Sequence, residues 1–110
     1  MPGYPVTFLL PDETRTLEIG ADQYIWHAAE QAGLRLPSRC RVGWCLTCAA
    51  RLEAGEVDQS SARRYFEADR RAGFILPCTA RPRSRLRLRT HQEEAMRQFR
   101  QSLGLAASIG

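Results

Sequence analysis

The chain contains no lysine; its sixteen basic residues are all arginine. It also has no long apolar run, so it lacks the roughly 20 consecutive apolar residues of a membrane-spanning helix, and insertion into a membrane is not expected. Met1-Pro2-Gly3-Tyr4-Pro5 lacks the basic-then-apolar layout of an export signal, which points to a cytoplasmic protein, or an organellar one if an import peptide has been removed. Histidine is scarce. His27 and His91 lie far apart, and no nucleophile stands in local register with a base, so a catalytic constellation is not expected. Internal repeats and linkers are absent, and 110 residues suit one compact domain. The hydrophobic fraction of 44% is enough for an ordinary core.

The arginines are unevenly spread. Residues 1–58 hold eight acids and five arginines, net −3, whereas residues 59–110 hold four acids and eleven arginines, net +7. Arginine presents a planar fork that matches carboxylate and phosphate. The second half is therefore a candidate docking region for an acidic partner.

The four cysteines are clustered. Cys40, Cys45 and Cys48 lie in the stretch Arg39-Cys40-Arg41-Val42-Gly43-Trp44-Cys45-Leu46-Thr47-Cys48, and Cys78 follows after twenty-nine intervening residues. In a reducing compartment such a set reads as metal ligands before disulfides. The spacing C-x4-C-x2-C…C is a [2Fe-2S] ligand pattern, with three thiolates from one loop and a fourth delivered by the fold. Structural zinc sites usually pair two short knuckles, and only one is present here. Zinc and a disulfide remain the alternatives at this point.

Local patterns supply the scaffold. Tyr4, Val6, Phe8 and Leu10 alternate, as do Arg15 to Ile19, which predicts a hairpin turning at Pro11-Asp12-Glu13. Ile25, Ala28, Ala29 and Ala32 form one helical stripe, with Asp22 the candidate N-cap and Gly33 the C′ residue. Ala49–Glu53 reads as a strand, 56–61 as a polar connection, Ala62 to Ala72 as a helix stopped by Gly73, and Phe74–Leu76 as a short buried strand. From Arg83 to Arg89 every odd residue is arginine while Leu86 and Leu88 point the other way. This predicts a strand with one cationic face, either a charge-protected edge strand or a docking stripe. Thr90-x-x-Glu93 reads as a capping box, followed by a helix with Met96, Phe99 and Leu103 on one face, ended by Gly104 before a frayed tail. The order is α+β: a mixed sheet with one main helix packed across it.

The chain resembles the plant-type [2Fe-2S] ferredoxins of chloroplasts and cyanobacteria. The resemblance covers about Tyr4 to Ala95. It rests on Asp22-Gln23-Tyr24-Ile25, Gly33, Leu36-Pro37, the cysteine loop through Ala49, Gly55 to Ser60, Ala72 to Cys78, and Thr90-His91-Gln92-Glu93-Glu94. It implies a β-grasp (ubiquitin-like) fold over residues 1–95, with an added helical extension from 96 to 110. It implies one [2Fe-2S] cluster on Cys40, Cys45, Cys48 and Cys78, and a one-electron carrier, expected as a monomer, serving redox partner proteins between a donor photosystem or reductase and acceptor enzymes. A cluster-bearing sensor or regulatory protein is the alternative function. Nucleic acid is not an expected partner. Where the family usually has Ser before the first Cys and after the second, this chain has Arg39 and Leu46. The family's photosynthetic members are strongly acidic, whereas 63–71 is here Arg63-Arg64-Tyr65-Phe66-Glu67-Ala68-Asp69-Arg70-Arg71, so a partner with an acidic docking face is expected.

Overall fold

A computed structural model describes residues 3–37 and 46–105. Cys40, Cys45, Arg39, Gly43, Trp44 and the tail from 106 lie outside the described residues.

The hairpin forms as its alternation requires. Strands β1 (Gly3–Leu9) and β2 (Thr14–Gly20) pair antiparallel, with Val6 opposite Leu17 and Tyr4 opposite Ile19. The connection closes with Leu10 N–H donating to Glu13 C=O at 2.8 Å. Val6, Phe8 and Ile19 are buried on one side, and Thr7 Oγ1 meets Thr16 Oγ1 at 3.0 Å on the other.

Helix α1 (Ile25–Gln31) packs Ile25 and Ala29 onto that buried side. Asp22 is not its N-cap. Tyr24 takes that position with no side-chain cap, because the helix's first N–H groups already have partners: Ile25 N–H donates to Ala80 C=O and Trp26 N–H to Pro77 C=O, both at 2.9 Å. The C-terminus follows expectation. Gly33 at φ +88° lets its own N–H reach Glu30 C=O and Leu34 N–H reach Ala29 C=O, the paired bonds of a Schellman motif.

Strands β3 (Ala50–Ala54), β5 (Phe74–Ile75) and β7 (Leu86–Arg89) complete a five-stranded sheet in the order β2-β1-β7-β3-β5. β7 runs parallel to β1 and antiparallel to β3. This mixed sheet with α1 across it is the β-grasp arrangement. The arginine-bearing strand is therefore central, which overturns the edge-strand reading. Alternation alone cannot separate the two, because an open antiparallel face gives a central strand the same polar side as an edge strand. Two further two-residue strands, β4 (Val57–Asp58) and β6 (Arg81–Pro82), pair with each other inside segments that carry no strand periodicity.

The helix expected over 62–72 is shorter. α2 runs Glu67–Ala72, because Asp69 Oδ2 accepts Phe66 N–H at 2.8 Å and starts the helix there. Upstream, Tyr65 O–H instead donates to Phe74 C=O. Burial, and next the charge of Asp69, hold the Tyr65 phenol well above its usual range. The Thr90 capping box does not form either. α3 (Glu93–Ser102) begins after Gln92, since His91 turns the chain at φ +59° and Thr90 N–H completes the sheet on Leu9 C=O at 3.1 Å. On α3, Met96 is buried and Phe99 partly so, but Leu103, just past its end, is 52% exposed. The fully buried residue of its last turn is Arg100, which no apolar stripe could reveal.

Gly55 links β3 to β4 at φ +98°, where a Cβ would stand 2.2 Å from Arg85 C=O. Both the left-handed backbone and the backbone clash oppose a side chain. We expect Gly55→Ala to cost about 2 kcal/mol or more, read as a lowered urea midpoint with an unchanged slope.

Asp58 anchors the β4–β6 pair. Its carboxylate accepts Ser60 N–H at 2.8 Å and Arg83 Nη2 at 2.9 Å, with Arg81 Nη2 at 3.8 Å. The hydrogen bonds from Ser60, and then the two arginine charges, hold its pKa below the ordinary value despite partial desolvation. A depressed carboxylate adds stability above its unfolded pKa of ~3.9, and loses it as pH falls through the lower folded value. The gain is under about 1 kcal/mol, because solvent reaches the group. Asp58→Asn should therefore unfold earlier than the parent at neutral pH. The two midpoints should converge as the pH drops below ~4.

Candidate metal centre

Cys48 and Cys78 arrive from opposite sides of a second apolar core. Cys48 lies inside the turn closed by Ala49 N–H on Leu46 C=O at 2.9 Å, just before β3. Cys78 sits in the turn after β5, where Thr79 N–H donates to Leu76 C=O at 3.0 Å. Their Sγ atoms are 3.1 Å apart and both residues are buried. A disulfide would bring them to about 2.05 Å. Two thiolates bound tetrahedrally to one metal ion at ~2.3 Å stand about 3.8 Å apart, so the pair lies between the separation of a disulfide and that of two ligands on one ion.

The surroundings are apolar. Trp26, Leu46, Ala49, Phe74, Leu76 and Met96 share the core with the two cysteines. Two thiolates are costly in such a medium unless a cation compensates them, and soft sulfur donors suit iron–sulfur groups and zinc. The donor chemistry, the proximity and the dry walls fit a [2Fe-2S] cluster. Among the described residues no group of three or more His, Cys, Asp or Glu side chains converges elsewhere. His27 is exposed and lies edge-on to Trp26, ring centroids 5.3 Å apart.

Neighbouring groups hold the two cysteine turns. Gln59 clamps the Cys78 turn with its amide: Nε2 donates to Leu76 C=O at 3.2 Å and to Thr79 Oγ1 at 2.9 Å, while Oε1 accepts Leu76 N–H at 2.9 Å. The start of α1 adds the bonds from Trp26 and Ile25 to Pro77 and Ala80. Trp26 Nε1 also donates to Leu36 C=O at 3.1 Å, fixing the approach to the cysteine loop. On the Cys48 side, Gln92 N–H donates to Ala49 C=O at 3.0 Å, and Thr47 Oγ1 donates to Glu93 Oε2 at 3.4 Å. Gln59 lies in a segment readable only as a polar connection. A lone amide with one partner segment nearly twenty residues downstream leaves no local signal.

The deepest polar contact joins α3 to α2. Arg100 and Asp69 side chains are both 0% exposed, with Arg100 Nη2 2.8 Å from Asp69 Oδ2 and Nε 3.2 Å from Oδ1. The same guanidinium donates to Arg64 C=O at 3.1 Å and lies 4.9 Å from the Phe66 ring centre.

Comparison with known proteins agrees with this geometry. The family model for the 2Fe-2S iron-sulfur cluster binding domain matches residues 9–83. Ferredoxin-2 of a Synechococcus species is 38% identical over 96 residues, covering 87% of this chain and 91% of the relative. The chloroplastic ferredoxin-6 of Zea mays is 41% identical over 92 residues, covering 83% of this chain and 59% of the relative. Among solved structures, pectocin M2 superposes with a TM-score of 0.78 at 33% identity; the match covers 84% of this chain and 34% of the pectocin chain, about a third of its length.

Proposed function

This chain belongs to the 2Fe-2S ferredoxin family and is an electron carrier with a single [2Fe-2S] cluster, and we propose that Cys40, Cys45, Cys48 and Cys78 are its four ligands. The observation that carries the assignment is the buried Cys48–Cys78 pair, 3.1 Å apart and walled by apolar side chains. Cys40 and Cys45 complete the set by spacing. When bound, the cluster supplies one-electron transfer. The chain holds the thiolates in position through Gln59, the α1 N-terminus and α3, and excludes water with Trp26, Leu46, Phe74 and Met96.

The protein acts as a monomeric carrier rather than as an enzyme, in the cytoplasm or a chloroplast stroma, between a donor reductase or photosystem and acceptor enzymes. No helix among the described residues is long and apolar enough to cross a membrane. The ferredoxin-type unit is assigned to residues 1–95 and the extension to 96–110, with Met96 and Arg100 building the extension into the unit's core. A net charge of +4 favours partners with an acidic docking face. The reading is tested by supplying electrons through a ferredoxin reductase and following cytochrome c reduction. Rapid turnover supports it. Partner binding that changes with oxidation state, without turnover, contradicts it.

Arg39 and Leu46 bear on the midpoint potential. A unit charge about 7 Å away at an effective dielectric of ~20 is worth roughly 2 kcal/mol, or about 100 mV for one electron, before screening. The lost serine hydroxyl and the burial of Leu46 act in the opposite direction. We expect a midpoint some tens of millivolts above the ~−400 mV of plant-type ferredoxins, and Arg39→Ser should lower it. Voltammetry that places the parent at or below that range overturns this expectation.

A further inference from the structure

The side of the sheet turned away from the α1 core is cationic and partly prearranged. Alternation puts Arg51 and Glu53 of β3, Arg87 and Arg89 of β7, and Thr16 and Glu18 of β2 on this side. Arg89 Nε donates to Glu53 Oε2 at 3.0 Å and Arg87 Nε to Glu53 Oε1 at 3.4 Å. Each guanidinium thus uses only its Nε, and among the described residues the Nη groups of both have no protein partner. Arg85, just before β7, is exposed, and its side chain makes no hydrogen bond or ion pair with the described residues. Arg51 is exposed, and its guanidinium carbon lies 4.6 Å from the centre of the Phe74 ring.

Four cations therefore share a face with Glu53 in their midst. Glu53 does more than neutralise one of them. It bridges Arg87 and Arg89, two positions apart on one strand and about 7 Å from each other. Fixing long side chains before a ligand arrives removes much of the entropy cost of binding. Each guanidinium already donates its Nε to the Glu53 carboxylate, and the free Nη edges match further carboxylates.

We infer that this sheet face is a docking surface for an acidic protein partner, with Arg87 and Arg89 as its prearranged carboxylate receptors. The inference rests on the electron-carrier reading and supplies the surface for it. Phe74, on which Arg51 stacks, belongs to the same apolar core as Cys48 and Cys78, so a partner seated here lies against the wall of the metal centre. The charge pattern favours a protein over a uniform polyanion. Glu18 and Glu53 lie on the face and repel a phosphodiester backbone, whereas a protein surface can set a cation opposite Glu18.

The test is an NMR titration of the ¹⁵N-labelled, cluster-loaded protein with an oligoglutamate peptide, with a DNA duplex as the competing probe. Shifts should concentrate on β3 and β7. The double variant R87Q/R89Q should bind the peptide about tenfold more weakly. R70Q/R71Q, which removes the same charge from exposed sites on α2, should change it less than about twofold. E53Q makes the face more positive yet should not tighten binding, because it releases the two forks. Equal losses in the two double variants, tighter binding by E53Q, or a preference for the duplex each overturns the proposal. R87Q/R89Q should keep the parent's visible spectrum. If the parent itself lacks that spectrum, the carrier reading fails independently of the peptide result.

Discussion

Replacing Cys78 by alanine is expected to abolish the visible absorption of the purified protein and reduce its bound iron to background. Cys78 brings one of only two described thiols to the buried core, and nothing beside it can substitute. Trp26, Leu46, Leu76 and Met96 offer no anionic donor, and the nearest oxygens already serve the turns, as with Thr79 on Gln59. Cys48→Ala should have the same effect from the other side of the 3.1 Å pair. Because ligand binding and folding are linked, both variants should also melt at lower temperature than the cluster-loaded parent. Gln59→Leu makes an instructive contrast. It leaves the ligands in place but releases the Cys78 turn from three hydrogen bonds. Faster loss of absorbance to a chelator is expected, with an initial spectrum close to the parent's.

The largest stability effect outside the metal centre is expected at Arg100. Arg100→Met leaves the Asp69 carboxylate in a fully buried position with Phe66 N–H as its remaining backbone partner. Breaking a buried pair from one side costs about 3–5 kcal/mol. In a domain of this size that corresponds to a fall in Tm of at least about 12 °C. Replacing both partners, as in Arg100→Met with Asp69→Leu, removes the uncompensated charge. The double variant should then lose only about 1–2 kcal/mol, chiefly the helix-start bond to Phe66. Denaturant unfolding of the two single variants and the double variant measures the coupling directly. Simple additivity would show that the buried pair does not act as a unit. The pair also fixes how α3 contributes to the centre. Arg100 reaches Asp69 and Arg64 while Met96 enters the cysteine-bearing core, so the helix is part of that core.

Legibility in the sequence followed the range of the forces involved. The β1–β2 hairpin, α1 with its Gly33 ending, and the alternation of Leu86 and Leu88 with Arg87 and Arg89 are periodic, local patterns. The structure carries each of them. The cysteine spacing points to a [2Fe-2S] cluster because ligand chemistry constrains such spacing tightly, and the family match agrees on that cofactor. Asp22 was misassigned because α1 is capped by carbonyls of Pro77 and Ala80, more than fifty residues away. β7 was open to an edge reading because strand order depends on which strand β1 recruits, and no period records that. Arg100 was hidden for a related reason. Arginine is rarely buried, and its carboxylate partner lies thirty-one residues earlier on another helix. The arginine stripe was visible as charge. Its organisation by Glu53 was not, because that contact crosses between strands.

The central claim is that four thiolates from this chain hold one two-iron cluster. It is tested most directly by the visible spectrum of the pure protein, taken with its iron and sulfide content. The account predicts a brown-red protein with two iron atoms and two labile sulfides per chain, as the [2Fe-2S] composition requires, bleached by dithionite. A colourless protein loaded with zinc would contradict it.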